Sequence, residues 1–257
     1  MAIHPTAVVA PGAEVDGSAE VGPYAVIGPH VKLGAQVHVG PHAVVEGHTT
    51  VGPHTRIFQF ASVGAPPQDL KYAGEPTKLE IGAHNQIREF ATLHIGTAGG
   101  GGITRVGERN LFMAYSHVAH DCQVGSGCIL ANCATLAGHV TLEDFVTVGG
   151  LAAAHQFTRM GKHAFVSGGA MVTMDIPPYC TARGDRAKLT GLNTVGLARH
   201  GFAEELVKRI KGAYRTVFRS KLGLREALSR VRAQNEGSPE VEHFVRFIEG
   251  SERGVAR

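Results

Sequence analysis

The sequence predicts a parallel β-helix closed by a smaller α-helical domain, and three observations carry that prediction. An aliphatic residue recurs every six positions, at Ile3, Val9, Val15, Val21, Ile27, Leu33, Val39, Val45, Val51, Ile57 and Val63. The residue two before it is small or β-branched (Ala7, Ala13, Ala19, Ala25, Val31, Val37, Ala43, Thr49, Thr55), and the residue after it is often Gly, as at Gly22, Gly28, Gly34, Gly40, Gly52 and Gly64. From about Thr190 the six-residue phase gives way to a helical one.

Residues i and i−2 of an extended segment share a face, so the aliphatic and the small residue both point inward. The Gly-rich steps between them are expected to turn the chain. An amphipathic helix has no period of six, and a hairpin meander does not keep one phase for so long. A sustained hexad is the signature of a parallel β-helix. The phase resumes at Ile81, Ile87 and Leu93, and again from Val106 through Phe112, Val118, Val124, Leu130, Leu136, Leu142 and Val148 to Ala154, Met160, Val166 and Val172. The interruptions, 65–78 (APPQDLKYAGEPTK) and 96–105 (GTAGGGGITR), are expected to project as loops. The expected division is therefore a β-helix over 1–189 and a helical domain over 190–257.

In the second part Phe202, Leu206, Ile210, Ala213, Tyr214 and Val217 form one helical stripe, and Leu224, Ala227, Leu228 and Val231 another. Ser238-Pro239 reads as an N-cap with Pro at the first helical position, opening a helix through Val241, Phe244, Val245 and Ile248. From Thr190 on there are 13 Lys and Arg against 8 Asp and Glu, whereas the preceding residues hold 12 against 14, so the basic excess sits in the tail.

The formal charge of +3 is too small to argue for nucleic acid. The start, Met1-Ala-Ile-His-Pro, shows no signal peptide, and no apolar run is long enough to span a membrane. The four cysteines, Cys122, Cys128, Cys133 and Cys180, match no paired metal spacing and suit reduced thiols in a cytoplasm. Cys122 and Cys128 fall on the small inward position and read as core filler. Against this background His117-Val-Ala-His120-Asp121-Cys122 stands out, because it puts two imidazoles and a carboxylate within five residues. A histidine beside a carboxylate is a ready general base.

The hexads, the run Gln68-Asp69-Leu70-Lys71-Tyr72-Ala73-Gly74-Glu75-Pro76-Thr77, the His117–Cys122 motif, Leu136-Ala-Gly138-His139-Val140, His155-Gln156-Phe157 and the helical tail together closely resemble one family. It is the UDP-N-acetylglucosamine O-acyltransferases that begin lipid A biosynthesis in Gram-negative bacteria. The resemblance covers nearly the whole chain. It implies a left-handed parallel β-helix with three hexads per coil, and a homotrimer with active sites in the clefts between subunits. It implies transfer of an (R)-3-hydroxyacyl group from acyl carrier protein to the 3-hydroxyl of UDP-N-acetylglucosamine. No metal and no cofactor is implied.

With eighteen residues per coil granted, residues 120, 138 and 156 lie in one column, about 4.8 Å apart per coil. The column reads His120, Gly138, Gln156, and His139 stands one coil above Asp121. His120 is the expected general base and Asp121 the carboxylate that orients it. Gly138 is the expected oxyanion donor through its bare N–H; the plainer reading is a repeat glycine that permits the turn, and the two are compatible. The resemblance carries Gln68, Asp69, Lys71, His117, His139, His155 and Gln156 over as substrate contacts. It also carries over Asn193 and Arg199 as nucleotide and phosphate contacts, a role that suits the forked guanidinium. Gly168 and Arg186 match positions that bound the acyl chain. Val195 stands where some members have Glu, His200 and Ile95 where Arg is frequent, and Arg186 also departs from the pattern. The basic tail suits an acidic carrier protein by steering.

Three other classes compete. A γ-class carbonic anhydrase shares the prism and holds zinc with three histidines between subunits, and bound zinc would favour it. The related N-acyltransferase carries a separate N-terminal uridine-binding domain, and with hexads beginning at Ile3 none is expected here. A non-catalytic scaffold leaves the His120-Asp121-Gly138 column without a purpose.

Overall fold

The computed structural model describes residues 2–257, which form a triangular prism of stacked coils with a helical domain at one end. Each regular coil is three short strands, most of them two residues long, and each strand pairs in parallel with the one eighteen residues on, as Ala2↔Glu20 and Ile3↔Val21. The strands make three sheets, one per face of the prism. The first runs from Ala2–Ile3 to Lys188–Leu192, the second from Val8–Val9 to Met171–Val172, and the third from Glu14–Val15 to Arg159–Met160.

The hexad rule accounts for the core. The aliphatic residues Ile27, Val39, Val45, Ile57, Leu93, Leu130 and Leu136 are fully buried, as are the small partners Ala19, Ala25, Val31, Val37, Ala43, Thr49 and Thr55. Cys122 and Cys128 are also fully buried, and burial pushes both thiols up to about 12. All four cysteines are free. In the first coil Ile3, Val9 and Val15 are only half-buried, because they pack on the core from one side.

The turns are made differently from the expectation. Left-handed backbone falls mostly on large side chains (Tyr24, His42, Phe60, His84, Phe90, Tyr115, Phe145 and His163 among them) and, Gly64 apart, not on the glycines that follow an aliphatic. Those glycines are needed for close approach between coils. A Cβ on Gly40 would sit 2.8 Å from the Gln59 nitrogen, and one on Gly52 2.7 Å from the Gly82 oxygen. A left-handed residue with a Cβ costs roughly 1–2 kcal/mol. Ring stacking along the prism edges offsets part of it, at about 0.5–1.5 kcal/mol per pair. On one edge Tyr24, His42, Phe60, Phe90 and Tyr115 stack at centroid spacings of 5.0, 5.2, 5.2 and 4.8 Å.

Both projecting loops are shorter than the sequence suggests. Lys78–Ile81 is a strand that pairs with His48–Val51 below and Ile103–Val106 above, so residues 78 and 103–105 belong to the third sheet. The register survives both insertions, with Ser62 opposite Thr92 and Thr92 opposite His117. Each loop leaves the second sheet and re-enters the third, so both emerge at the same edge of the prism.

β-structure continues past residue 189. Cys180–Arg183 and Lys188–Leu192 form an antiparallel hairpin on the first sheet, and Asn193 caps a short helix. The helices are α1 (Thr194–Arg199), α2 (Glu204–Arg219), α3 (Leu224–Gln234) and α4 (Pro239–Glu249). The expected stripes are buried at Ile210, Ala213, Tyr214 and Val217, and at Ala227, Leu228 and Val231. Ser238 occupies the N-cap of α4 with Pro at the first turn, but its buried hydroxyl makes no capping bond. The tail then returns to the prism, where Asp175 N–H donates to Gly254 O and Ala256 N–H to Asp175 O. No helix is long and apolar enough to cross a membrane among the described residues.

His163 stacks on Phe145 at 4.8 Å with His200 edge-on at 4.7 Å, and it is 4% exposed. Burial, then the neighbouring His200 and Lys162, lower its pKa from 6.5 to about 4. The unfolded imidazole takes a proton near 6.5 and the folded one only near 4, so its contribution to stability is complete above 6.5 and is lost as pH falls toward 4. The melting temperature should therefore drop over that interval, and drop less in His163→Phe, whose ring can keep the stack. An equal drop in both proteins would assign the acid sensitivity to other groups.

Candidate active site

The loop-bearing edge, between the second and third sheets, also carries His120 and Asp121, which connect His117–Val118 to Gln123–Val124. Asp121 takes left-handed backbone (φ 60°), and its N–H donates to Thr104 Oγ at 2.8 Å. That turn swings the carboxylate inward under the second loop, where its side chain is fully buried. Thr97 N–H donates to Oδ1 at 3.0 Å and to Oδ2 at 3.2 Å, and Thr97 Oγ donates to Oδ2 at 2.7 Å. His120 Nδ1 lies 2.8 Å from the same Oδ2. An ionised carboxylate only accepts, so Nδ1 carries the proton and Nε2 is left as the basic nitrogen.

Gly138 sits directly against that ring. A Cβ there would lie 2.5 Å from His120 Cε1 and 2.6 Å from Nε2, so any side chain would displace the imidazole. Gly138 is not left-handed, so the alternative that it merely permits the turn fails; the imidazole beside it is the reason for glycine. No acceptor among the described residues takes its N–H. The ladder bonds His139 N–H to His120 O (3.0 Å) and Phe157 N–H to Gly138 O (3.2 Å) set the register, so His120, Gly138 and Gln156 stack on successive coils.

Other histidines gather around the pair. His139 stands above Asp121 with Nε2 4.0 Å from Oδ2, edge-on to His120 at 5.1 Å and stacked on Phe157 at 4.4 Å. Burial lowers its pKa, against the opposing pull of Asp121 and of Asp69 on the first loop. His117 Nδ1 meets Thr92 Oγ at 2.7 Å, and burial followed by His120 lowers its pKa. His94, edge-on to His117 at 4.9 Å, is almost wholly buried, and burial brings it down to about 4. His155 lies one residue before Gln156, and Arg253 from the returning tail donates to its Nδ1 at 3.0 Å.

The first loop folds over the second: Ala98 N–H donates to Glu75 Oε1 at 3.2 Å and Thr77 Oγ to Gly96 O at 2.5 Å. Asp69 is half-buried facing His139, while Gln68, Leu70 and Lys71 are exposed. Asn193 and Arg199 do not join this cluster within one chain. Asn193 spends its side chain on α1 and the coil, accepting from Gly196 N–H and donating to His163 O. Arg199, Val195 and His200 line a groove of about 550 Å³ with Phe145, His163 and Phe165, at the edge between the third and first sheets. Gly168 and the exposed Arg186 flank the top of the second sheet, where Ala187 N–H donates to Met171 O. Ile95 is core.

Sequence reasoning missed Thr97, Gly100, Thr104, Thr92 and His94. Thr97 and Gly100 lie in a Gly-rich loop whose contacts are set only by folding, and nothing in the spacing marks them. One ring nitrogen each of His120 and His139 and an Asp121 oxygen lie within 4.8 Å of one another, a set that could hold a metal ion. The donors already gathered on Asp121 favour proton chemistry, since an ion would have to displace them.

Comparison with known proteins shows the family. The family described as "Udp N-acetylglucosamine O-acyltransferase; Domain 2" matches residues 175–256, and "Bacterial transferase hexapeptide (six repeats)" matches residues 103–138. A curated relative from Myxococcus xanthus (strain DK1622), named acyl-[acyl-carrier-protein]--UDP-N-acetylglucosamine O-acyltransferase, is 65% identical over 99% of both chains. One of the same name from Anaeromyxobacter dehalogenans (strain 2CP-1) is 58% identical over the whole of both. The crystal structure of UDP-N-acetylglucosamine O-acyltransferase from Moraxella catarrhalis superposes with a TM-score of 0.97 at 42% identity, covering 100% of each chain. A structure from Acinetobacter baumannii gives 0.96 at 40% identity over 99% of each. The fold is thus the left-handed parallel β-helix with a C-terminal α-helical domain, and the chain belongs to the UDP-N-acetylglucosamine O-acyltransferase family.

Proposed function

We propose that the protein transfers an (R)-3-hydroxyacyl group from acyl carrier protein to the 3-hydroxyl of UDP-N-acetylglucosamine, the first step of lipid A biosynthesis, with His120 as general base. The names of its close relatives support the reaction. The observation that carries the role of His120 is its Nδ1 bond of 2.8 Å to the buried Asp121, with the rest of the ring packed on Gly138.

In the first step His120 Nε2 takes the proton of the sugar 3-hydroxyl while that oxygen forms a bond to the thioester carbonyl carbon. The carbonyl electrons move onto oxygen, which the free N–H of Gly138 stabilises. As they return the C–S bond breaks, and the departing sulfur takes the proton held on Nε2. Asp121 stays ionised throughout and stabilises the imidazolium. Asp69, His139, His155 and Gln156 line the edge where the acceptor would sit, with Gln68 and Lys71 on the loop beside it. From His117 the outer face of the second sheet continues through Thr135, Ala153 and Met171 toward Gly168 and Arg186, a narrow strip suited to an acyl chain.

The working species is a homotrimer in this reading. Asn193 and Arg199 lie on a different edge from His120, so a neighbouring copy must supply them for one site to hold both. The fully exposed Leu70 and the exposed ladder from Tyr24 to Tyr115 offer apolar surface for that contact. Free thiols, three of the four buried, suit a cytoplasmic protein.

His120→Ala should fold normally and lose about 10²- to 10⁴-fold in turnover in an assay with UDP-N-acetylglucosamine and acyl carrier protein; full turnover would remove His120 from the mechanism. Gly138→Ala should cost about 10²-fold at an unchanged melting temperature, because the methyl group pushes the imidazole aside. A wild-type rate would show that the ring position is not critical. Mixing the inactive His120→Ala and Arg199→Ala chains under exchange should restore about a quarter of the sites, those pairing an intact His120 with a neighbour's intact Arg199. No recovery would place both residues in one chain's own site.

A further inference from the structure

General-base catalysis by His120, the premise of the inference, asks Asp121 to remain charged and motionless although its side chain has no contact with water. A carboxylate buried without donors takes up a proton instead, and one held only by the imidazole is free to rotate away from it. We infer that Thr97, on the second loop, is a positioning residue for acyl transfer, fixing both the orientation and the charge that Asp121 presents to His120.

The hydrogen bonding is directional. Gly100 N–H donates to Thr97 Oγ at 3.1 Å, which turns the hydroxyl proton toward Asp121 Oδ2 at 2.7 Å. That oxygen also accepts His120 Nδ1–H at 2.8 Å, so hydroxyl and imidazole share one acceptor. Thr97 N–H holds Oδ1 at 3.0 Å, closing a two-point grip on the carboxylate. Gly100 packs so tightly on the carboxylate that a Cβ there would collide with it, and this closeness keeps water out. The loop is itself anchored: Gly96 N–H donates to Lys78 O at 3.0 Å, Thr77 bonds Gly96 O, and Glu75 of the first loop holds Ala98 N–H. Thr104 Oγ, on the strand that the loop enters, takes the Asp121 N–H, so the aspartate is fixed at backbone and side chain alike.

The Thr97 hydroxyl and the imidazole, the two closest donors on Oδ2, compete for its charge. Removing the hydroxyl leaves more negative charge facing His120 Nδ1–H, which favours the imidazolium over the neutral base. It also frees the carboxylate to shift, which misaligns Nε2.

The test compares Thr97→Val, which keeps shape and backbone N–H but loses the hydroxyl, with Thr97→Ser, which keeps the hydroxyl. In Thr97→Val the acid limb of kcat/KM should move to higher pH by about half a unit or more, with kcat down about 10- to 100-fold and KM for either substrate unchanged. Thr97→Ser should restore both limb and rate. A wild-type limb and rate in Thr97→Val overturn the inference, as does a lowered melting temperature with the limb unmoved, which is what loss of the loop's own turn would give. His120→Ala run alongside separates the two claims. If it keeps its activity the general-base reading fails and this inference with it; if it is inactive while Thr97→Val titrates as wild type, only the role of Thr97 falls.

Discussion

The eighteen-residue ladder between coils governs everything else in this molecule. Most strands are only two residues long, so no strand holds its place alone; each is fixed by the coil below and the coil above. A slip of one residue would turn every buried aliphatic outward. Extra chain can therefore enter only where no inward residue is displaced, at the edges. Both insertions leave from one edge, and the register on either side of them is kept. That edge is where His120, Asp121, Gly138, His139 and Gln156 arrive from consecutive coils, so the scaffold supplies the column and the insertions supply its cover.

The same constraint explains why bulky residues tolerate left-handed backbone here. The turns must be tight, and coil spacing leaves no room for a Cβ at glycines such as Gly40 and Gly52 that follow an inward aliphatic. The left-handed step is displaced onto residues whose side chains point out and stack on their counterparts one coil away. On two edges most of those side chains are rings and contribute packing, although Gln36, Arg109, Cys133 and Leu151 are not. On the third, His139 and Phe157 stack in the same way, but at Asp121 the same turn aims a carboxylate beneath a loop.

Most of this fold is legible in the sequence, because a period of six reports directly which residues face inward. Most of the buried apolar set from Ala19 to Val172 follows from phase alone, with Ile95 and Ala119 outside it. Loop limits are less legible: Lys78 and 103–105 look irregular by composition, yet they complete strands because neighbouring coils demand partners for their backbone. The reason for the glycines is hidden too, since a spacing cannot distinguish a residue that turns the chain from one that makes room for the next coil. In the site, His120, Asp121 and Gly138 announce themselves by chemistry and column. Thr97 does not, because its role depends on a loop crossing twenty-four residues of sequence to reach Asp121.

The crowding of imidazoles raises the question of which one holds a proton during the proposed reaction. His94, His117 and His139 are all shifted toward the neutral form, by burial first, with their histidine neighbours adding to it. Among these rings only His120 has a carboxylate within hydrogen-bonding distance, and His139 stops at 4.0 Å from it. In the proposed reaction positive charge would be compensated by Asp121 only on His120, while the others would serve as uncharged donors and acceptors for a polar substrate. The neighbours thus contribute by refusing the proton. A cluster of four equivalent histidines would spread the charge and leave no single base, so the buried carboxylate, more than any one imidazole, is what makes this edge of the prism asymmetric enough for catalysis.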